Sequence, residues 1–164
     1  MKGFILSPVP EPQISMKEEE AAVGYVVLPR SEQSFSVLCI EDNQANLKLI
    51  ELIIARRPDL RLLTATNGTS GVELARAAQP DVILMDINLP DINGFEALKI
   101  LRSDPRTAKI PVVALTANAM TRDIQKGLQA GFFLYITKPF DINEFLESLN
   151  ETLAFAGKQV AMKT

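Results

Sequence analysis

The chain contains no histidine and no tryptophan, and its single cysteine is Cys39. Without an imidazole it has no Ser-His-Asp relay, no histidine-based zinc site and no histidine of its own to phosphorylate. One cysteine allows no internal disulfide, which favours a reducing compartment. No apolar run approaches the roughly 20 residues that a membrane span needs, and the apolar patch at residues 4–6 is too short for a secretion signal. We therefore expect a soluble, cytoplasmic protein.

The sequence also lacks an excess of positive charge. Among 164 residues, 17 Lys and Arg stand against 20 Asp and Glu, which leaves a net charge of -3. Surfaces that bind nucleic acid or anionic lipid are rich in Lys and Arg, so neither partner is expected. The apolar share of 47% is ordinary for a folded protein and too high for a disordered one.

Residues 1–35 differ in composition from the rest of the chain. They hold four of the ten prolines and the charge run at residues 17–20, which is typical of a linker or extension. Within them, residues 25–28 form either an isolated strand or part of an extended tail. We predict an N-terminal extension over 1–35, one folded domain over 36–154 and a C-terminal tail over 155–164.

Short, wholly apolar runs recur along the folded domain and predict strands buried on both faces of a parallel sheet. These runs are 37–40, 82–85, 112–115 and 134–136. A fifth run at 60–65 is interrupted by Arg61, which suits an edge strand. Helical periods separate the runs, so right-handed crossovers give a five-stranded, doubly wound α/β sheet. The predicted strand order is 2-1-3-4-5, the flavodoxin-like arrangement.

Local signals predict where several helices begin and end. Three capping pairs are Ser70 with Glu73, Asn93 with Glu96, and Asp141 with Glu144. Gly131 is placed to end the fourth helix in the left-handed conformation. We assign the apolar stripes of all five helices to the core, including Met120, Ile124 and Leu128 of the fourth helix.

Polar groups follow the predicted strands where ligands bind in such sheets, beyond the carboxyl ends. Glu41 and Asp42 end the first strand and Asp86 the third, while Thr116 and Lys138 follow the fourth and fifth. Carboxylates about 4 Å apart would repel by on the order of 4 kcal/mol at an effective dielectric near 20. Lys138 and a hard divalent cation would offset this, and oxygen ligands favour Mg²⁺ over zinc. Such a site fits phosphoryl transfer to a carboxylate.

Four motifs lie at the ends of these strands, in order along the chain. They are residues 37–43, 83–94, 115–117 and 137–139. Together they resemble the receiver domain of bacterial two-component response regulators, over residues 36–154. Residues 41–47 are similar to receivers attached to hybrid sensor histidine kinases. The resemblance implies a phosphoacceptor signalling domain in a phosphorelay rather than an enzyme, with a sensor histidine kinase or a histidine phosphotransfer protein as its partner.

The resemblance also implies the chemical roles at the site. Asp86 would take the phosphoryl group from the partner's phosphohistidine. Asp42, Asp86 and the backbone carbonyl of Asn88 would hold Mg²⁺, with Glu41 acting directly or through water. Asn88 also lies where the family tunes the hydrolysis of the acyl phosphate.

Further residues match the positions that sense phosphorylation in the family. Lys138 would pair with one phosphoryl oxygen, and Thr116 would hydrogen-bond another and move toward it. Tyr135 matches the aromatic residue that turns inward when Thr116 moves. Pro139 is expected to follow a cis peptide bond. Asn118, like Asn88, lies where the family tunes the hydrolysis of the acyl phosphate.

The chain departs from the family at one place, whose role has two interpretations, and two alternative functions are also open. Phe133 and Leu134 stand where family members often carry an acidic pair. They either form an apolar patch for docking or homodimerisation on the helix-4/strand-5/helix-5 face, or lengthen strand 5 into the core. The chain could instead be a Mg²⁺-dependent phosphatase of haloacid-dehalogenase type, although Asn88 replaces the second acid, or a phosphorylation-independent scaffold.

Overall fold

A computed structural model describes residues 34–118 and 120–163, with side chains as far as residue 159. The predicted segment at 25–28 lies outside these residues. The strands are β1 (Phe35–Ile40), β2 (Leu60–Ala65), β3 (Val82–Asp86), β4 (Val112–Thr116) and β5 (Leu134–Thr137). The helices are α1 (Gln44–Ala55), α2 (Gly68–Ala78), α3 (Gly94–Ser103), α4 (Thr121–Ala130) and α5 (Ile142–Lys163). Within the described ranges, no helix has the length and apolar character needed to cross a bilayer.

All five strands are parallel, and their order in the sheet is β2-β1-β3-β4-β5. This confirms the predicted doubly wound, flavodoxin-like arrangement. Strand β2 carries Arg61 and lies at an edge, as its interrupted apolar run predicts. Because the strands are parallel, their carboxyl ends meet along one edge of the sheet, where ligand sites form in this type of fold.

The core consists of one apolar layer on each face of the sheet. Successive residues of β1 alternate between the layers, since neighbouring side chains of a strand point to opposite faces. One layer joins the sheet to α1 and α5, and the other joins it to α2 and α3. Both faces of the central strands are therefore covered, which explains their continuous apolar runs.

Two of the three predicted helix starts are confirmed. The Asn93 side chain accepts from the Glu96 amide at 2.9 Å, and the Glu96 carboxylate accepts from the Asn93 amide at 3.0 Å, a reciprocal capping box. The Asp141 side chain accepts from the Glu144 amide at 2.9 Å. The α4 prediction also holds at its end, where Gly131 adopts the left-handed conformation with φ 118°.

The predicted start of α2 is wrong. The helix begins at Gly68 rather than after Ser70, and Asn67 is its N-cap, with its side chain accepting from the Ser70 amide at 2.8 Å. The preceding amides of Gly68 and Thr69 bind a side chain from a distant loop. The local N-cap Asn67 and this tertiary partner together fix the first turn earlier than the pair Ser70 and Glu73 indicates.

The apolar stripe of α4 is not part of the core, contrary to the prediction. Met120 is 58% exposed and Leu128 is 45% exposed. The buried residue of this helix is Gly127, and the Tyr135 ring occupies the space beside it. Helix α4 contacts Tyr135 of the sheet at Gly127. The larger apolar side chains, spaced by four residues, therefore lie to the side of this contact.

Helix α5 runs on to Lys163, past the domain boundary predicted at residue 154. Ala156 is buried in the core, and the Phe155 ring packs against Phe133 at a centroid distance of 4.8 Å. These contacts stabilise the continuation of the helix. Residues 155–163 therefore belong to α5 and do not form the separate tail that was predicted. At the other end of the helix, Ile142 is exposed, although its stripe was assigned to the core.

The structure also bears on the apolar pair before Tyr135. Leu134 is the first residue of β5, pairs in register with Val113 and packs against the core layer of α1 and α5. Phe133 is half-buried and is covered on one side by Phe155. Of the two interpretations, lengthening strand 5 into the core describes Leu134 correctly.

Candidate functional site

The carboxyl edge of the sheet brings the predicted polar residues together. Glu41 and Asp42 directly follow β1, and Asp86 and Thr116 are the last residues of β3 and β4. Strands β1, β3, β4 and β5 are consecutive in the sheet. Lys138 directly follows β5, and its amide donates to the Thr116 carbonyl at 2.7 Å.

Three acidic side chains form a cluster at this edge, here called the carboxylate cluster: Glu41, Asp42 and Asp86. One carboxylate oxygen from each lies within 4.8 Å of those of the other two. Glu41 and Asp86 are buried, whereas Asp42 is exposed to solvent. Three negative charges this close repel one another strongly unless positive charge is present.

Lys138 supplies part of that positive charge. Its Nζ lies 2.9 Å from Glu41 Oε1 and donates a hydrogen bond to Asp86 Oδ2 at 3.0 Å, and its side chain is only 16% exposed. Burial by itself lowers the pKa of Lys138, but the ion pairs with Glu41 and Asp86 outweigh burial and raise the pKa above its ordinary value. The peptide bond between Lys138 and Pro139 is cis, as predicted.

Glu41 is fully buried, with 0% of its surface exposed. Its Oε2 accepts from the Asn43 amide at 3.1 Å. Oε1 lies near Lys138 Nζ, yet no donor among the described residues faces it with hydrogen-bonding geometry. Burial is the main cause that raises the pKa of Glu41, and the neighbouring Asp86 adds to it. A buried carboxylate oxygen with spare acceptor capacity, beside two further carboxylates, is a donor set that fits a hard divalent cation.

Asp86 is held in one orientation by two donors. Its Oδ2 accepts from Lys138 Nζ, and its Oδ1 accepts from the Asn88 amide at 3.0 Å. The side chain is largely enclosed, with the residue 4% exposed. Asn88 and Thr116 also line an adjoining cleft of about 180 Å³ that reaches to Tyr135.

Thr116 is tied to the segment that leads into α4, and Tyr135 is tied to the first turn of that helix. The Thr116 hydroxyl accepts from the Asn118 amide at 3.0 Å, and the Asn118 side chain donates to Asp123 at 2.7 Å. The Tyr135 hydroxyl donates to the Asp123 carbonyl at 3.2 Å, and its ring meets Phe132 edge to face. Burial raises the pKa of Tyr135 above its ordinary value, with the charge of Asp123 as a second cause.

One further residue, Asp91, shapes the site and was not predicted from the sequence. Asp91, in the loop between β3 and α3, accepts from the Gly68 and Thr69 amides at 2.8 Å each. It therefore joins the loop that carries Asn88 to the first turn of α2. In the sequence, Asp91 stands between Pro90 and Ile92 and reads as an ordinary turn residue. Local patterns contain no signal for its distant partner.

The sequence of the chain identifies its family. The sequence profile of the response regulator receiver domain matches residues 37–150. The chain belongs to this family of two-component signalling domains. It is 39% identical to the polar-differentiation response regulator DivK of Brucella anthropi over 121 residues, which cover 74% of this chain and 98% of DivK.

Solved structures of receiver domains share the fold. One is the receiver domain of the sensor histidine kinase PA1611 from Pseudomonas aeruginosa, which carries a magnesium ion coordinated in its active site cleft. It is 33% identical with a TM-score of 0.67, and the alignment covers 74% of this chain and 98% of that domain. The chemotaxis response regulator CheY4 of Vibrio cholerae is 26% identical with a TM-score of 0.69, over 73% of this chain and 99% of CheY4.

Proposed function

We propose that this chain is a phosphoacceptor domain of a two-component phosphorelay and that Asp86 is the residue phosphorylated. The supporting observation is the setting of the Asp86 carboxylate. Lys138 Nζ and the Asn88 amide fix its two oxygens, and Glu41 and Asp42 lie beside it. A nucleophile held in one orientation loses little further freedom on reaction, which is a main requirement of phosphoryl transfer.

The proposed reaction moves one phosphoryl group from an imidazole nitrogen to Asp86. A carboxylate oxygen of Asp86 attacks phosphorus, a P–O bond forms and the P–N bond of the partner's phosphohistidine breaks. The released imidazole takes up a proton from solvent. The donor is a sensor histidine kinase or a histidine phosphotransfer protein, and because such kinases use cytoplasmic ATP, the proposal places the reaction in the cytoplasm.

Charge neutralisation is the second requirement of this chemistry. Glu41, Asp42, Asp86 and the backbone carbonyl of Asn88 would hold Mg²⁺, which supplies positive charge to the phosphoryl oxygens when it is bound. Lys138 already lies at hydrogen-bond distance from Asp86, so it would pair with a phosphoryl oxygen attached there. These roles leave Asp86 as the nucleophile and the remaining groups as electrostatic partners.

The output of the domain would be a change at the other end of the adjoining cleft. Thr116 would give up the Asn118 amide and bind a phosphoryl oxygen, and the cleft between Thr116 and Tyr135 would then change shape. The exposed apolar side chains of Met120, just before α4, and of Leu128 on α4 support a docking role for the α4–β5–α5 face, for a partner or for a second copy of the chain.

Incubation with acetyl phosphate and Mg²⁺ tests the proposal through intact-mass measurement. Wild type should gain one phosphoryl group, and Asp86→Asn should gain none. Asp59→Asn is the matched control, because it makes the same substitution in an aspartate that pairs with Arg57 at 2.8 Å just before β2, away from the carboxyl edge. Absence of an adduct on wild type, or an adduct that persists in Asp86→Asn, would overturn the proposal.

A further inference from the structure

The loop between β3 and α3 is fixed at both of its ends. The Ile87 amide donates to the Leu115 carbonyl at 3.1 Å, and the Gly94 amide donates to the Ile87 carbonyl at 2.8 Å. Asn88 lies near the start of this loop and donates its amide to Asp86. Asn88 and the residues that follow it therefore form one short stretch between two fixed points.

Asp91 holds the middle of the loop against α2. Its carboxylate oxygens accept separately from the Gly68 and Thr69 amides, which are the first two of the helix. The Asn67 side chain serves the next amide, that of Ser70. Two side chains from different loops thus satisfy successive amides that a helix leaves without internal partners. The Thr69 side chain and the two amides hold the pKa of Asp91 well below its usual range, so Asp91 is ionised at neutral pH.

The backbone of the loop lies directly on the first turn of α2. A Cβ atom added at Gly68 would collide with the Ile92 side chain and would lie 3.1 Å from the Ile92 carbonyl oxygen. Only glycine leaves room for this approach. The contact has two parts, a pair of charge-assisted hydrogen bonds from Asp91 and the close packing of Ile92 on Gly68.

From these contacts we propose that Asp91 is a positioning residue that couples cation binding at the carboxylate cluster to the N-terminus of α2. The inference rests on the proposed function, in which Asn88 contributes to holding Mg²⁺. One loop carries Asn88 and, through Asp91, ties down α2. In this proposal the contact of Asp91 with the Gly68 and Thr69 amides favours the loop position that binds Mg²⁺. By thermodynamic reciprocity, Mg²⁺ then strengthens this contact by the same factor.

The test uses the full chain and Mg²⁺ alone, followed by NMR of backbone amides. In wild type, Mg²⁺ should slow hydrogen exchange at the Gly68 and Thr69 amides. Asp91→Ala should weaken Mg²⁺ binding by about fivefold or more, with a smaller loss in Asp91→Asn, which keeps one acceptor oxygen. Gly68→Ala, which pushes Ile92 away, should weaken binding in the same direction and serves as the second variant.

The control is Asp104→Ala, a substitution at the opposite end of the same two helices. Asp104 accepts from Arg76 Nε at 2.9 Å and so joins the last turn of α2 to the end of α3. Its loss should lower the melting temperature and leave the affinity for Mg²⁺ unchanged. Equal Mg²⁺ affinity in Asp91→Ala and wild type, or an equal loss in Asp104→Ala, would overturn the coupling. Failure of wild type to bind Mg²⁺ at all would instead overturn the proposed function on which the coupling rests.

Discussion

Asp42 is the exposed member of the carboxylate cluster. Its replacement by asparagine should raise the stability of the domain without Mg²⁺ and weaken the binding of Mg²⁺. The substitution keeps the size of the side chain and removes one of three negative charges that lie within 4.8 Å of one another. Without Mg²⁺, the loss of this charge relieves repulsion with Glu41 and Asp86. We therefore expect Asp42→Asn to be more stable than wild type in the absence of the cation.

Coulomb's law gives the magnitude when 4.8 Å, the limit within which the three carboxylate oxygens lie, is taken as the separation. At 4.8 Å, each pair repels by about 3.5 kcal/mol at an effective dielectric of 20 and by about 0.9 kcal/mol at that of water. Asp42 is exposed, so the lower figure is the better guide, and removing Asp42 relieves two such pairs. Loss of the attraction between Asp42 and Lys138 offsets part of the gain. The expected net gain in unfolding free energy is therefore about 1 kcal/mol.

Mg²⁺ should oppose this difference. At a concentration one hundred times its wild-type dissociation constant, the cation adds about 2.7 kcal/mol to the stability of wild type. If the variant binds Mg²⁺ about tenfold more weakly, it gains only about 1.4 kcal/mol under the same conditions. The advantage of Asp42→Asn should therefore shrink by about 1.3 kcal/mol or more when Mg²⁺ is added.

Urea denaturation followed by circular dichroism measures these differences in a chain without tryptophan. Four curves are needed, for wild type and variant with EDTA and with Mg²⁺, and Asp59→Asn repeats the comparison away from the cluster. A variant less stable than wild type in EDTA would refute the argument from repulsion. Equal stabilisation of both proteins by Mg²⁺ would refute the assignment of Asp42 as a ligand.

Two further predictions concern Lys138 and Tyr135. Since the folded-state pKa of Lys138 lies above its ordinary value of 10.5, its contribution to stability should be fully present below that pH and fall as pH rises through the folded-state pKa. Urea curves in EDTA between neutral and strongly alkaline pH should show this fall in wild type, and an equal fall in Lys138→Met would contradict it. Gly127→Ala should place a methyl group where the Tyr135 hydroxyl lies, destabilise the domain by about 1–3 kcal/mol and move the ring away from Phe132. Unchanged NMR contacts between the Tyr135 and Phe132 rings in this variant would count against the packing described.

The strands and their order could be predicted because burial on both faces leaves a clear mark in the sequence. Central strands such as β3 and β4 are buried throughout and appear as continuous apolar runs. The acidic and hydroxyl residues at the strand ends were equally visible, since parallel strands place their carboxyl ends together. Those two regularities are enough to bring Asp86, Thr116 and Lys138 to one edge.

Other features depend on partners that are far away in the chain. The start of α2 depends on the local N-cap Asn67 and on Asp91 from another loop, so the pair Ser70 and Glu73 was misleading. The stripe of α4 has helical spacing, but the contact with Tyr135 leaves room only for Gly127. In both cases a contact made in the folded chain outweighs the local signal on which the prediction relied.

The ionic partners of Glu41 also could not be read from spacing alone. Residues 41 and 138 are brought together by strand order, but the 2.9 Å approach of Lys138 Nζ to a fully buried glutamate depends on side-chain packing. Its consequence, a raised pKa for Glu41 with burial as the main cause, follows only once burial is known. The residues at the strand ends are visible in the sequence, whereas their electrostatics depend on how the folded chain packs.

The most direct test of the account is to locate the phosphoryl group within the chain. After treatment with acetyl phosphate and Mg²⁺, borohydride reduction converts an acyl phosphate to a stable alcohol, and peptide mass spectrometry then identifies the reduced residue. The account predicts reduction at Asp86, at no other aspartate or glutamate, and only when Mg²⁺ is present. Reduction at Asp42 or Glu41 instead, or no reduced peptide from a Mg²⁺-treated sample, would contradict it.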